Sequence, residues 1–198
     1  MSKRAGAVSA ETKQQLLTAA RDEFAARGFS GSSLRRICAA AGVTTGALYF
    51  FFQGKDDLFA AVLAQVTEPF TRLLEAHYQA EQASDRRDSS EGADADLQVV
   101  ETMIDLCFRS RETWNILLAH QSHPVVRDFL EGVNRISTEH YLSLLEDADP
   151  FAVRQFVQMQ TGAMLTLLGQ DFTRQEMLDH AGTVVTMLRG AFRALLSQ

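Results

Sequence analysis

Apolar residues recur along most of the chain at the three- and four-residue spacing of amphipathic helices. Leu16, Leu17, Ala20 and Phe24 form the stripe of a first helix, capped by Ser9, running to about Arg27 and ended by Gly28 as a C′ residue. A second, short helix opens at Gly31 with Ser32 or Ser33 and closes at Gly42. It turns Leu34, Ile37 and Cys38 inward and leaves Arg35 and Arg36 outward. Thr44 caps a third helix within two residues of Gly42, with Val43 in the corner, which is the spacing of a helix-turn-helix. Leu48 and Phe52 of this third helix point at the core. Thr45, Gly46, Tyr49 and Phe50 are left on the opposite face, where DNA would lie.

After a break at Gln53-Gly54, Lys55 begins a long helix through Leu58, Phe59, Val62, Val66, Phe70, Leu73 and Leu74 to about Gln82. The stretch 84–95 contains no large apolar residue and reads as an exposed, mobile loop. Further helices are expected over about 96–111 and 113–120, then from Pro124 as an N1 residue to about 146. Asp149-Pro150 starts another, apolar on more than one face over 151–168, and Thr173-x-x-Glu176 is the capping box of a last helix to about Leu196. Two adjacent helices this apolar suggest a subunit interface. The fold class that follows is all-α: a three-helix helix-turn-helix domain over 1–54, then a larger helical domain over 55–198.

Composition supports this and places the charge. Three prolines and 12 glycines in 198 residues, 46% of them hydrophobic, fit a helix-rich globular chain and exclude low-complexity classes. The net charge of −6 argues against a polyanion partner until it is divided along the chain. Residues 1–60 hold 8 Lys and Arg against 5 Asp and Glu, a balance of +3, whereas 61–198 hold 11 against 20, a balance of −9. All three lysines, Lys3, Lys13 and Lys55, fall in the basic part. Cys38 and Cys107 sit far apart in apolar helical contexts, which is neither a disulfide framework nor a metal knuckle, and the start of the chain lacks the apolar run of a secretory leader. A cytoplasmic protein without a membrane span is expected. No phosphate loop, nucleophile motif or cofactor signature is present, so neither an enzyme nor a cofactor is expected.

Ala20 and Phe24 before Gly28-Phe29, then Ser33 and Ile37, then Ala41-Gly42-Val43-Thr44 with Gly46, Leu48, Tyr49 and Phe52, then Lys55-Asp56-Asp57-Leu58, together resemble the N-terminal domain of TetR-type transcriptional regulators. The resemblance covers about 12–63, and the extension Leu48-Tyr49-x-x-Phe52-x-x-Lys55 makes it specific. It implies an all-helical homodimer joined mainly through the last two helices, and a repressor released from a palindromic operator when a small ligand binds the second domain.

The resemblance also implies roles. Lys55 would meet a phosphate at the start of the fourth helix. Thr44 and Tyr49 would donate hydroxyls to phosphate, or Thr44 to a base edge, while Ser33 and Arg35 or Arg36 reach the flanking backbone. Thr45, Gly46 and Phe50 are candidates for the major-groove floor. Phe50 and Phe51 depart from the commoner pattern, in which one of the pair carries a polar ring atom, so a Phe50 base contact would be apolar, with a thymine methyl. Electrostatic attraction must come from Lys55, the second-helix arginines and a flexible Lys3-Arg4 arm. About three cationic contacts per protomer give a slope of log K against log salt of roughly −5 for a dimer.

The effector residues carry a weaker signal. Tyr78, Met103, Cys107, Phe108, Trp114, Tyr141, Met159 and Met164, with the polar Asn115, His120, His140 and Gln160, could line an apolar cavity with a few orienting groups. The acidic balance of the second domain favours a neutral or cationic, aromatic or lipophilic effector. His120-x-x-His123 could begin a metal site with His77 or His140, but a hydrogen-bonded histidine at the Pro124 helix start is the better reading. The rival to a regulator is a dimeric ligand-binding or protein-interaction module that kept the helix-turn-helix fold and lost DNA binding, a reading kept alive by the uncharged third helix and Phe50-Phe51.

Overall fold

The computed structural model describes residues 2–83, 90–145 and 148–196, with side chains over 9–83, 97–145 and 148–194. The described residues form helices α1 (Ser2–Gly31), α2 (Leu34–Ala40), α3 (Thr45–Phe51), α4 (Lys55–Gln82), α5 (Ser90–Arg109), α6 (Arg111–Ala119), α7 (Pro124–Leu144), α8 (Pro150–Leu168) and α9 (Arg174–Leu196). The all-α class stands. No helix among the described residues is long and apolar enough to cross a membrane.

Several terminators act as their chemistry predicts. Gly28 interrupts α1 with φ 65° and ψ 175°, a conformation that a side chain at Cβ disfavours. Asp149 caps α8 by accepting the Phe151 N–H at 3.0 Å, ahead of Pro150 at the first helical position. Thr173 and Glu176 exchange the two bonds of a capping box, 2.9 Å from the Thr173 N–H and 3.3 Å from the Glu176 N–H.

Two expected boundaries move. α1 starts at Ser2, so Ser9 lies inside the helix rather than capping it; Ala5, Ala7 and Ala10 carry helical propensity past it. The side chains of Lys3 and Arg4, expected on a flexible arm, lie outside the described ones. α5 starts at Ser90, so the second half of the expected 84–95 loop is helix, in keeping with Ala93, Ala95 and the absence of proline; 84–89, with the mobility expected there, lie outside the described residues.

The chain divides into two compact units, one of 1–67 with 111–126 and the other of 68–110 with 127–198. The first unit runs past the expected boundary at 54/55. Three helices of some fifty residues bury too little apolar surface to close a core, and Leu58, Phe59, Val62, Leu63 and Val66 of α4 complete it, all buried with Leu16, Phe24 and Leu48. α6 joins the same unit, burying Trp114, Ile116 and Leu117 and pairing Glu112 with Arg21 at 3.2 Å. α4 thus serves both units, and Pro69, which cannot donate to the helix ladder, stands beside the point of division.

In the second unit, Arg174 of α9 holds Asp105 at 2.6 Å and Glu101 at 2.9 Å on α5. Thr161 of α8 donates to Asn134 of α7 at 2.6 Å.

Candidate nucleic-acid interface

Gly42, with φ 67°, reverses the chain after α2, and the Val43 N–H closes the turn on the Cys38 carbonyl at 3.0 Å. Extended backbone at Thr44 then lets its Oγ1 accept the Ala47 N–H at 3.2 Å, an N-cap contributing about 1 kcal/mol. The cap uses a lone pair and leaves the Thr44 hydroxyl hydrogen for another acceptor. Leu48 and Phe52, 0% and 3% exposed, anchor the inner face of α3.

The outer face carries two ridges at i, i+4 spacing, Thr45 with Tyr49 and Gly46 with Phe50. Tyr49 is 57% and Phe50 78% exposed. Phe51 braces the Phe50 ring edge to face at 4.9 Å. Thr45 is exposed beside Tyr49, and burial pushes the Cys38 thiol up despite a hydrogen bond with Thr45.

The cations behind this face are occupied. Beyond Gly28, the Phe29 carbonyl accepts the Lys55 ammonium at 2.8 Å and the Ser32 hydroxyl at 2.6 Å, and Lys55 also reaches the Ser32 carbonyl at 3.4 Å. The ammonium lies 4.5 Å from the centre of the Phe29 ring. Lys55 therefore ties the end of α1 to the start of α4. Arg36 donates to Glu23 at 2.7 Å and to the Gly31 carbonyl at 2.6 Å. Arg35 is exposed and Ser33 half-buried.

Glu23 was not singled out from sequence. It accepts the Ser33 N–H at 3.1 Å, so an α1 carboxylate does for α2 what the Ser33 side chain does not. Only its place four residues before the Arg27-Gly28-Phe29-Ser30 break could have hinted at this. Burial raises the Glu23 pKa, but the bonds from Arg36 and the Ser33 N–H, with the charges of Arg36 and Arg27, outweigh it and hold the carboxyl below its ordinary 4.5. A depressed folded value makes this stabilisation fully present above about pH 4.5 and lost as pH falls through the folded value. Acid unfolding of wild type is therefore expected to steepen below that pH relative to Glu23→Gln, and identical acid profiles would contradict the assignment.

α6 reaches the same joint. The Phe29 N–H donates to His120 Nε2 at 3.0 Å, and the other ring nitrogen, Nδ1, lies 2.7 Å from the Ile116 carbonyl. Both bonds form only in the tautomer with hydrogen on Nδ1.

A family model described as bacterial regulatory proteins, tetR family, matches residues 16–62, which hold most of α1, all of α2 and α3, and the start of α4. The chain is 40% identical over 72 residues to the transcriptional repressor BepR of Brucella suis, a match spanning 36% of this chain and 34% of BepR. Residues 16–62 are the N-terminal domain of a TetR-type regulator.

The alignment thus spans about a third of the length of such curated relatives. Solved structures extend the likeness along the chain. A TetR-family regulator from Streptomyces coelicolor, SCO4454, is 28% identical with TM-score 0.60, over 94% of this chain and 97% of its own. SmeT, the repressor of the Stenotrophomonas maltophilia multidrug efflux pump SmeDEF, shares the fold at 23% identity and TM-score 0.61, over 94% of this chain and 88% of its own.

The expected effector residues do not fall in one unit. Trp114, Asn115 and His120 belong to the first, where Trp114 is buried, Asn115 is exposed and His120 holds Phe29. Tyr78, Met103, Cys107, Phe108, Tyr141, Gln160 and Met164 belong to the second. Met103 and Cys107 are buried, Phe108 and Met164 half-buried, and Met159, also on the expected list, is 49% exposed.

Tyr78 and Tyr141 meet in a polar cluster that also holds His140. Tyr78 donates to Ser137 at 3.0 Å and stacks on His140 with ring centres 3.9 Å apart, while His140 Nε2 meets Glu81 at 2.9 Å. Burial pushes the Tyr141 phenol well above its ordinary range, against a bond with Gln160. Buried His140 Nδ1 and Gln160 Oε1 find no hydrogen-bond partner among the described residues. No group of three His, Cys, Asp or Glu among those residues is placed to hold a metal.

Proposed function

We propose that the protein is a ligand-responsive repressor that binds a palindromic operator as a homodimer through α3 and is released by a small-molecule effector. The observation that carries this reading is the outer face of α3: Tyr49 and Phe50 stand exposed on a two-turn helix held by a capped, glycine-reversed turn. Thr44 and Tyr49 supply hydroxyls to phosphates, Ser33 and Arg35 flank them, and Thr45, Gly46 and Phe50 face the groove floor. Lys55, with one of its three donors left, and Arg36 add charge close to the backbone.

One short helix contacts too few bases for useful affinity, so two protomers reading half-sites one helical turn apart are required. Selection from random duplexes by the purified protein tests this. A two-fold palindrome bound by two protomers is the expected result, and no enrichment by a folded dimer at low salt would favour the module that has lost DNA binding. Because Arg36 already shares its charge with Glu23, the salt slope on the selected duplex is expected to be no steeper than roughly −5. A slope near −9 would contradict the assignment.

Dimerisation is assigned to α8 and α9. Phe151 and Met159 on α8 and Met187 on α9 are 60%, 49% and 69% exposed, the large apolar side chains that a second copy would cover. Thr183, Thr186 and Gly190 around Met187 are small and exposed, allowing close helix approach. Met187→Asp is expected to shift the protein from dimer to monomer in sedimentation at micromolar concentration; a dimer that persists would move the interface elsewhere.

The effector site is assigned to the second unit, around Tyr78, Tyr141 and Gln160, with Met103, Cys107, Phe108 and Met164 as apolar neighbours of the same unit. The Glu81 carboxylate and the acidic balance of the region favour a neutral or cationic, aromatic or lipophilic effector. Effector and operator affinities then oppose each other by the same factor.

A further inference from the structure

The groove-facing surface of α3 is short of hydrogen-bonding groups where it should meet base edges. α3 carries no charged residue, and Phe50 presents only carbon. What the ridge offers instead is shape. Gly46 lies one turn before Phe50, and a helical side chain leans toward the N-terminus, so the Phe50 ring borders the surface that Gly46 leaves bare. A Cβ added at Gly46 would meet only the Thr44 Oγ1, at 3.8 Å, so nothing in the fold demands glycine there. Phe51 holds the Phe50 ring edge to face and limits its freedom to turn away.

We infer that the notch between Gly46 and the Phe50 ring seats the 5-methyl group of one pyrimidine in each operator half-site, and that this methyl, rather than a hydrogen-bond pattern, sets the base preference there. In the major groove the 5-methyl projects from thymine, and from 5-methylcytosine at the equivalent ring position. A reader that contacts only the methyl accepts either base and rejects uracil and unmethylated cytosine. The inference rests on the reading of α3 as the DNA-binding helix, and it adds a sensitivity to cytosine methylation that this reading does not require.

The test uses the duplex selected from a random library, resynthesised with each thymine replaced in turn by deoxyuridine, and then with a G·C or G·5-methylcytosine pair at the sensitive position. Burying one methyl gives an expected loss of about fourfold in affinity per half-site, about fifteenfold when both are changed. 5-Methylcytosine should restore most of what cytosine loses. Phe50→Ala, a change at an exposed site, should bind thymine and deoxyuridine duplexes equally, and Gly46→Ala, which fills the notch without touching the core, should do the same. A selected duplex bound with no loss at any deoxyuridine position overturns the methyl readout and leaves DNA binding intact. Failure to select any duplex overturns the DNA-binding reading itself, and this inference with it.

Discussion

Replacing Phe59 by alanine is expected to lower the unfolding free energy by about 3–5 kcal/mol, the largest effect of any single substitution considered for this chain. Phe59 is fully buried near the start of α4, and its ring meets Phe24 at 5.0 Å, Phe29 at 5.0 Å and His123 at 4.6 Å. Phe24 comes from α1, Phe29 from the turn beyond Gly28, and His123 from the segment after α6, so one ring joins four stretches of chain. Aromatic pairs in edge geometry add to the area term, and removing the ring leaves a cavity that four elements would have to close together. Chemical denaturation read by circular dichroism checks this. A loss under 1 kcal/mol would mean that the first unit does not depend on α4 for its core.

His120→Leu is expected to cost about 1–3 kcal/mol, because it strands the Phe29 N–H in a partly buried site. The geometry is specific. Gly28 turns the Phe29 amide out of the helix, and a Cβ at Gly28 would approach His120 Nε2 at 3.3 Å, so glycine and histidine fit each other. His120→Gln, whose amide oxygen reaches roughly the Nε2 position, should retain more stability than leucine does. Hydrogen exchange at the Phe29 amide distinguishes this from loss of packing: it should accelerate in the leucine variant more than at neighbouring amides. Equal stability of the two variants, with Phe29 still protected, would remove His120 from the account.

Local signals in the sequence were sufficient for much of this fold. Gly28, Gly42, Thr44, Pro124, Asp149-Pro150 and the Thr173 to Glu176 box act within a few residues of themselves, and the helices that they bound came out close to their expected limits. Unit membership was not legible. α6 joins the first unit through contacts as distant as Phe29 with His120, 91 positions apart, and periodicity carries no information on which distant stripe a helix covers.

Charged residues were the other source of difference. Lys55 and Arg36 read as solvated or phosphate-facing because their acceptors are backbone carbonyls of the turn after Gly28, which exist only once that turn has formed. Glu23 went unnoticed for the same reason. On α3, in contrast, capping and the i, i+4 rule were enough to place Tyr49 and Phe50 outward.

Lys55 is consequently a poor probe of DNA binding, since its removal also frees the Phe29 and Ser32 carbonyls. The exposed pair on α3 is a clean one. The most direct measurement is the affinity of the selected duplex for wild type and for the Tyr49→Ala, Phe50→Ala double variant, by fluorescence anisotropy, with thermal unfolding recorded for both. The account predicts unchanged unfolding and at least a hundredfold weaker binding, roughly 1.4 kcal/mol for each of the two side chains. Equal affinity from two equally stable proteins would contradict α3 as the reading helix.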